Sequence, residues 1–279
     1  MNGEQMEFGF MKEEHQAQVA AKQKLIEANT PRVELIHFTG KDTPDETWAA
    51  ANLLIFTKST RLNLSPGLFD EIRNWPEEKK LEELEYMANT LPSSWEFIDY
   101  VFLVTGVSRA YTHQQVRTRT GSYAQQAMRI VDASDFKYVY TKRDLEHDDR
   151  RAIIDKCVGK IREIYTELLS MGHLAEDARG ILPTNVATNI VCKFNMRAFV
   201  DLAKKRLGGR SQNEYREVMT QMVSAVLAVH PWMEKFIYGD AGRDYFTDIE
   251  TFAEEQFGDD LATKAKLLKI VHKMRKEGK

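Results

Sequence analysis

The sequence has little cysteine and no long apolar run. Cys157 and Cys192 are the only two cysteines in 279 residues, and they lie far apart. A disulfide framework and a zinc site made of four thiolates are therefore excluded. No window approaches the roughly 18 uninterrupted apolar residues that a membrane helix needs, and the first residues carry no apolar run like that of a secretory signal. We therefore expect a reduced, cytoplasmic protein with no membrane partner.

The sequence also lacks a strong excess of one charge. Its 39 basic and 42 acidic side chains leave a formal net charge of −3. A basic footprint along the whole chain is absent, so nucleic acid is not an expected partner. The length is sufficient for one large domain or two small ones.

The hydrophobic pattern predicts an α/β (α+β) fold, with one mostly helical domain around a central β-sheet and helical extensions at both termini. We expect an amino-terminal extension over 1–30, the main domain over 31–235 and a carboxy-terminal extension over 236–279. Alternation predicts a short strand at Val33–His37, and aromatic and β-branched residues predict another over 94–107. Helices are predicted from Asp45, near 68–90 with a break at Pro76, and over 108–118, 147–172, 184–206 and 211–230. Cys157 falls in the apolar stripe of the 147–172 helix, which predicts a buried thiol.

The segment from Ser108 to Arg129 is the most unusual part of the chain. It reads SRAYTHQQVRTRTGSYAQQAMR and has four arginines but no acidic residue. Arg117 and Arg119 are two positions apart and so cannot share one helix face, and Gly121-Ser122 supplies a turn directly after them. Guanidinium groups suit phosphate oxygens, and nearby Gln and Ser side chains can bond to a heterocycle. The segment predicts a nucleotide site, with a solvated basic helix face as the alternative.

Three ordered blocks carry a resemblance to a known family. VSRAYTHQQVRTRTGSYAQQAMR, from Val107, resembles the signature of flavin-dependent thymidylate synthases, which has His-Gln, then Arg-His-Arg, a Ser, and a second Ser followed by x-Arg-Tyr. AEDARGILP, from Ala175, is similar to the family's Asp-Ala-Arg-x-x-Leu-Pro. NMRAF from Asn195, then Arg206 and SQNEYR from Ser211, make the third block. The resemblance covers roughly residues 94–220.

The resemblance implies a methyltransferase that converts dUMP to dTMP. The family uses tightly bound FAD, with NADPH and methylenetetrahydrofolate as co-substrates, and flavin hydride supplies the reducing equivalents. It also implies a homotetramer whose active sites lie between subunits. No catalytic cysteine and no metal are expected. A preorganised arginine in a water-poor site can instead stabilise negative charge on the pyrimidine.

Matched positions carry the family's site residues onto this chain. Arg206 matches the catalytic arginine that polarises the pyrimidine. The nucleotide-binding positions are Gln114, Arg117, Gln125, Gln126, Ala127, Arg129, Arg179 and Arg206. The cofactor-binding positions are Arg117, Thr118, Arg119, Ser122, Asn195, Arg197 and Asp201.

The chain also departs from the family pattern at neutral contact positions. Thr118 stands for the central His of Arg-His-Arg, Ala127 for the second Ser, and Asp201 for an Asn. The matched arginines are all kept, which argues against decay because buried unpaired charges are costly. Replacing a hydroxyl by a methyl at Ala127 makes space that could admit a ribose 2′-hydroxyl or another base edge. Two alternatives therefore remain: a relative that modifies another pyrimidine nucleotide at carbon 5 (a UMP methylase, or a dUMP or dCMP hydroxymethylase), and a non-catalytic nucleotide-binding relative.

Overall fold

The computed structural model describes most of the chain. The described residues are 20, 24–59, 64–129, 133–208, 211–239, 249, 253, 257 and 261–277. They belong to two units, Met1–Met233 and Glu234–Lys279. No helix within these ranges has the length and apolar character to cross a bilayer. The predicted extension over 1–30 lies largely outside the described residues, although 24–28 are helical, and the one over 236–279 lies only partly inside them.

The first unit combines an antiparallel sheet with surrounding helices. Its strands are β1 (Arg32–Phe38), β2 (Asp99–Ser108), β3 (Ser122–Gln125) and β4 (Ala187–Asn195). Its α-helices are α1 (Glu46–Ser59), α2 (Leu68–Arg73), α3 (Glu77–Ala88), α4 (Arg109–Gln115), α5 (Lys142–Glu146), α6 (Asp148–Ser170), α7 (Ala175–Ala178), α8 (Met196–Arg206) and α9 (Asn213–Val229). Short 3-10 helices cover Pro92–Phe97, Arg179–Ile181 and Pro231–Met233, and the second unit contains α10 (Glu234–Tyr238) and α11 (Leu261–Glu277). The predicted mostly helical α/β fold with one sheet is confirmed for the described residues.

The sheet has the strand order β1-β2-β4-β3, and every neighbouring pair is antiparallel. Strand β2 pairs with β4 from Asp99 opposite Asn195 to Ser108 opposite Ala187. The register shifts between Val104 and Val107, where Gly106 has a φ of 69°. This left-handed conformation favours glycine. Because β2 leads into α4 and β4 leads into α8, helix α4 starts at one end of the antiparallel β2–β4 pair and α8 starts at the other.

Two of the predicted elements in this unit were wrong in type or extent. The strand predicted over 94–107 begins only at Asp99, because Pro92 starts a 3-10 helix that runs to Phe97. The helix predicted over 184–206 is strand β4 followed by α8. Alternate β4 side chains, from Thr188 to Phe194, are buried, and this period of two is that of a strand. Because β2 and β3 both bond to β4, the sheet fixes this segment as a strand.

The prediction of a buried thiol at Cys157 was also wrong. Cys157 is exposed on α6, and only Val158 and Tyr165 of that helix are buried. The helix packs through a narrow contact around Val158, Phe136 and Val186. The apolar stripe read from the sequence is wider than this contact, so Ile153 is 73% exposed. Cys192, on β4, is the buried thiol, and burial raises its pKa to about 12.

Candidate active site

The junction between β2 and α4 is tied to the start of α9. Ser108 caps α4, and its hydroxyl oxygen accepts a hydrogen bond from the Tyr111 amide at 3.0 Å. The same hydroxyl donates to Glu214 Oε2 at 2.6 Å, and the Ser108 amide donates to Glu214 Oε1 at 2.7 Å. Burial raises the pKa of Glu214, and the two bonds from Ser108 oppose that rise. The carboxylate therefore fixes α9 against the helix that leads into the arginine-rich turn.

Arg117 and Arg119 lie in the turn that follows α4, so the basic side chains do not form one helix face. Both are exposed, and within the described part of the chain their guanidinium groups have no hydrogen-bond or ion-pair partner. The carbonyl oxygen of Thr118, between them, accepts a hydrogen bond from Tyr123 Oη at 2.7 Å. At Gly121 a Cβ would lie 2.5 Å from Phe194 Cε1 and 2.6 Å from Tyr123 Oη. The turn thus needs glycine in order to approach β4, and it presents two free guanidinium groups.

The two glutamines after this turn bond to helix α4 and strand β4. Gln125 Nε2 donates to Thr112 Oγ1 at 2.9 Å. Gln126 Oε1 accepts from Asn189 Nδ2 at 2.9 Å. Ala127 follows directly and is exposed. The amides of Gln125 and Gln126 are therefore oriented, whereas Ala127 supplies only a methyl group.

Three arginines lie near Ser108, the last residue of β2: Arg109, Arg129 and Arg179. Arg109 Nη2 donates to the Gln126 carbonyl at 3.0 Å. Arg129 forms an ion pair with Glu176 at 3.3 Å, and Arg179 Nε donates to the Glu176 carbonyl at 3.0 Å. Burial lowers the pKa of Arg109, and the nearby positive charge of Arg179 lowers it further. Arg109 Nε is buried without a hydrogen-bond partner. Arg109 was not among the predicted site residues, although it stands in the same acid-free segment.

Arg206, at the last position of α8, lies over an aromatic ring of α9. The Cζ atom of its guanidinium is 4.4 Å from the centroid of the Tyr215 ring. The Tyr215 ring in turn contacts that of Tyr111 on α4, with the centroids 5.1 Å apart. Gln114, near the end of α4, donates a hydrogen bond from Nε2 to Gln212 Oε1. The structure therefore brings Arg206 and Gln114 to the place where α4, α8 and α9 meet.

The predicted flavin contacts on α8 lie at the other end of the sheet. Asn195 caps α8, and its Oδ1 accepts from the Ala198 amide at 2.9 Å. Arg197 pairs with Glu96 at 2.7 Å, and Asp201 is exposed. Ser122 begins β3 opposite Lys193, two residues from Asn195. Asn195 lies opposite Asp99, the first residue of β2, whereas Arg109 follows Ser108, the last residue of β2. At about 3.3 Å per residue, the ten residues of β2 place these two ends of the strand about 30 Å apart. One chain does not gather all the predicted residues at one place.

Two cavities adjoin the predicted nucleotide positions. A cavity of about 270 Å³ lies beside the Gln114–Gln212 bond and is lined by Gln212, Glu214 and Tyr140, among others. Another, of about 400 Å³, is lined by Gln126, among others, and by Thr188 and other residues of the central strands β2 and β4. None of the predicted arginines lines either cavity. Except for Arg206, which is partly buried against the Tyr215 ring, they are exposed. Among the described residues, no three His, Cys, Asp or Glu side chains are grouped so that they could hold a metal ion.

Free and closely spaced guanidinium groups beside a small sheet define a protein suited to bind anionic ligands. A sequence model of the family described as thymidylate synthase complementing protein matches residues 34–232. The chain belongs to this family, and the resemblance found in the sequence is confirmed.

Individual relatives agree with this assignment. The flavin-dependent thymidylate synthase of Sulfurisphaera tokodaii is 33% identical over 161 residues, covering 56% of this chain and 63% of the relative. That of Pyrococcus furiosus is 31% identical over 196 residues, covering 69% and 77%. That of Clostridium tetani is 26% identical over 221 residues, covering 74% and 86%. For the Sulfurisphaera tokodaii relative and three others, the chain spans about half to two thirds of the relative's length.

Proposed function

We propose that this protein is a flavin-dependent thymidylate synthase, a methyltransferase that converts dUMP to dTMP with methylenetetrahydrofolate and NADPH through FAD. The observation that carries the proposal is the guanidinium of Arg206. It is half-buried, held against the Tyr215 ring, and stands at the position that matches the family's catalytic arginine. Such a group can stabilise negative charge on a pyrimidine ring and so activate its carbon 5 without a thiol nucleophile.

The residues of the arginine-rich turn fit a flavin with a negatively charged diphosphate. Arg117 and Arg119 offer unpaired donors, which suit phosphate oxygens. Gly121 allows close approach of the turn to the sheet. Arg117, Thr118, Arg119, Ser122, Asn195, Arg197 and Asp201 would hold the cofactor. When bound, FAD supplies the hydride chemistry, and the protein supplies orientation and charge.

The remaining predicted positions would hold the nucleotide. Arg129 and Arg179, with Arg109 beside them, form a cationic group suited to a phosphate monoester. Gln125 and Gln126 are fixed by bonds to Thr112 and Asn189, and so present their amides in a defined orientation. Gln114, Arg117, Ala127 and Arg206 complete the proposed nucleotide set.

We further propose that the active site is shared between subunits of a homotetramer. The reason is the distance of about 30 Å along β2 between Asn195 at one end and the arginines near Ser108 at the other. A flavin and a nucleotide that react must lie in contact. A second copy of the chain can bring the two groups of residues together, which one chain alone does not do.

A second candidate is a relative that modifies another pyrimidine nucleotide at carbon 5, such as a UMP methylase or a dUMP or dCMP hydroxymethylase. The observation that favours it is Ala127, which is exposed directly after Gln126 and provides no hydroxyl. The space and the lost donor suit a nucleotide with a different sugar or base edge. The arginine groups serve both candidates equally, so the choice between them rests on substrate preference.

The test begins with purified protein reconstituted with FAD. Its absorbance spectrum is followed during titration with dUMP and with UMP, and turnover is measured with NADPH and methylenetetrahydrofolate. We expect dUMP to perturb the flavin band and to be methylated. Perturbation and turnover with UMP alone would establish the second candidate. Failure to bind flavin would contradict both and leave a non-catalytic relative.

Arg206→Ala tests the catalytic assignment. Turnover should be abolished while the flavin stays bound, because the proposed partner of Arg206 is the pyrimidine. The exposed Arg150 on α6 offers a matched control, and Arg150→Ala should leave both turnover and flavin content unchanged. Loss of flavin from Arg206→Ala would show that the residue assignment is wrong.

A further inference from the structure

The aromatic ring of Tyr215 packs against the guanidinium group of Arg206. Its side chain is 1% exposed, and its ring centroid is 4.4 Å from Arg206 Cζ. This distance places the cation over the ring face in the range of a cation–π contact. An arginine at the end of a helix has several rotatable bonds, and a ring beneath the guanidinium reduces the number of orientations it adopts.

The Tyr215 ring is itself held by buried groups of α4. It contacts the ring of Tyr111, which is fully buried and donates from Oη to Gln115 Oε1 at 3.2 Å. The preceding residue, Glu214, accepts both hydrogen bonds from Ser108. Arg206 on α8 therefore packs against a residue of α9 that is itself held by the start of α4. These contacts do not depend on a mobile surface group.

The hydroxyl of Tyr215 lies near Arg206 and Thr118. It is buried and makes no hydrogen bond of ordinary geometry in the described part of the chain. Burial raises its pKa to about 12, and Arg206 and Thr118 both act to lower it. The hydroxyl is therefore close to the arginine proposed for the pyrimidine and to the threonine proposed for the flavin.

We propose that Tyr215 is the positioning residue of Arg206: its ring fixes the guanidinium in the orientation needed by the transition state. This inference rests on the proposed function, because it takes Arg206 as the group that polarises the pyrimidine. Fixing the group before the substrate arrives removes a reorganisation cost at the moment of reaction. Tyr215 acts through Arg206 and does not itself contact the reacting atoms.

Two variants of Tyr215, each loaded with FAD, separate the ring from the hydroxyl. Tyr215→Phe keeps the ring, so kcat should stay within about threefold of the wild type. Tyr215→Leu removes it, and kcat and kcat/KM for dUMP should fall together by about 10- to 100-fold, with KM nearly unchanged. Flavin content should not change. The control Tyr100→Leu also removes a fully buried ring, one that contacts Phe199 and His230 and not Arg206, and in the folded protein it should leave kcat unchanged.

A double-mutant cycle between Tyr215 and Arg206 gives a readout besides activity. The unfolding temperatures of the wild type, Tyr215→Leu, Arg206→Ala and the double variant are compared without substrate. We expect non-additive losses, because each single variant already breaks the same contact. Additive losses would overturn the stack, and a kcat of Tyr215→Leu equal to that of the wild type would overturn the positioning role.

The same set of proteins distinguishes failure of this inference from failure of the proposed function. If Arg206→Ala is inactive but Tyr215→Leu is fully active, only the positioning proposal is wrong. If Arg206→Ala turns over dUMP like the wild type, the role of Arg206 is wrong and the inference falls with it. If Tyr215→Leu and Tyr100→Leu lose kcat equally, the effect of Tyr215 is a general loss of packing, and the inference is overturned.

Discussion

His230 is expected to make the stability of this protein depend on pH between 4 and 6.5. The imidazole is fully buried between an edge-on Phe38 and a stacked Trp232. In its neutral form Nε2 donates to the Glu46 carbonyl at 3.2 Å and Nδ1 accepts from Tyr100 Oη at 2.9 Å. Both ring nitrogens are thus satisfied without a charge. Protonation would place an imidazolium in an apolar site and turn Nδ1 into a donor that faces a hydroxyl hydrogen.

The magnitude follows from the pKa of His230, which burial lowers from 6.5 to about 4 against the weaker effect of the Glu46 bond. Between these two pH values the unfolded chain takes up a proton that the folded protein does not. The free energy of unfolding therefore falls as the pH falls through this window. At about 1.4 kcal/mol for each tenfold difference in proton affinity, the full loss is about 3 kcal/mol. This contribution is complete above pH 6.5 and is gone near pH 4.

Denaturant unfolding of the wild type and of His230→Gln between pH 7.5 and 4.5 measures this effect. Glutamine keeps a donor and an acceptor but does not titrate. Carboxylates titrate in both proteins, so the difference between the two pH profiles isolates His230. The wild type should lose about 2–3 kcal/mol more than the variant over this range. Parallel profiles would refute the reasoning, since they would mean that His230 takes up its proton equally in both states.

The remaining predictions concern the arginine-rich turn and the nucleotide. Gly121→Ala should lower the free energy of unfolding by about 1–3 kcal/mol, because its Cβ would overlap Phe194. The matched variant Gly159→Ala, where a Cβ meets nothing within 4 Å on helix α6, should raise it by up to about 1 kcal/mol; equal effects in thermal unfolding would contradict the overlap. Ala127→Ser should shift the ratio of kcat/KM values towards dUMP over UMP by restoring a hydroxyl, and an unchanged ratio would count against a retuned pocket.

The sequence predicted elements best where the pattern of one segment is sufficient. The alternation at Val33–His37 and the break at Pro76 are local signals, and β1 and the division between α2 and α3 confirm both. Strand β4 was missed because ATNIVCKFN precedes a true helix without a breaker, and only its pairing with β2 and β3 decides its conformation. Cys157 was misplaced because an apolar stripe does not show how much of itself a neighbour covers.

For the candidate site too, the sequence predicts what depends on one segment and misses what depends on contacts between distant segments. The ordered motifs identified the family and the free arginines of the turn. The contacts that hold the helix before this turn join residues about a hundred positions apart, such as Ser108 with Glu214. Tyr215 stood in the quoted SQNEYR motif, but nothing in that motif shows that its ring lies under Arg206. Such pairings follow from the fold, so a single sequence gives the chemical groups of the site and not their support.

The electrostatics of the Ser108 end support the proposal that its arginines bind an anion. Arg109 is partly buried and its Nε has no partner; burial lowers its pKa, and repulsion by Arg179 lowers it further. Both features destabilise the folded chain, and Glu176, which contacts Arg129 and Arg179, does not compensate the charge of Arg109. A phosphate between these guanidinium groups would remove the repulsion. This group of arginines destabilises the protein when no anion is bound and would be stabilised by a bound anion. Such a group is expected in a binding site that keeps its arginines while the uncharged residues around the ligand change.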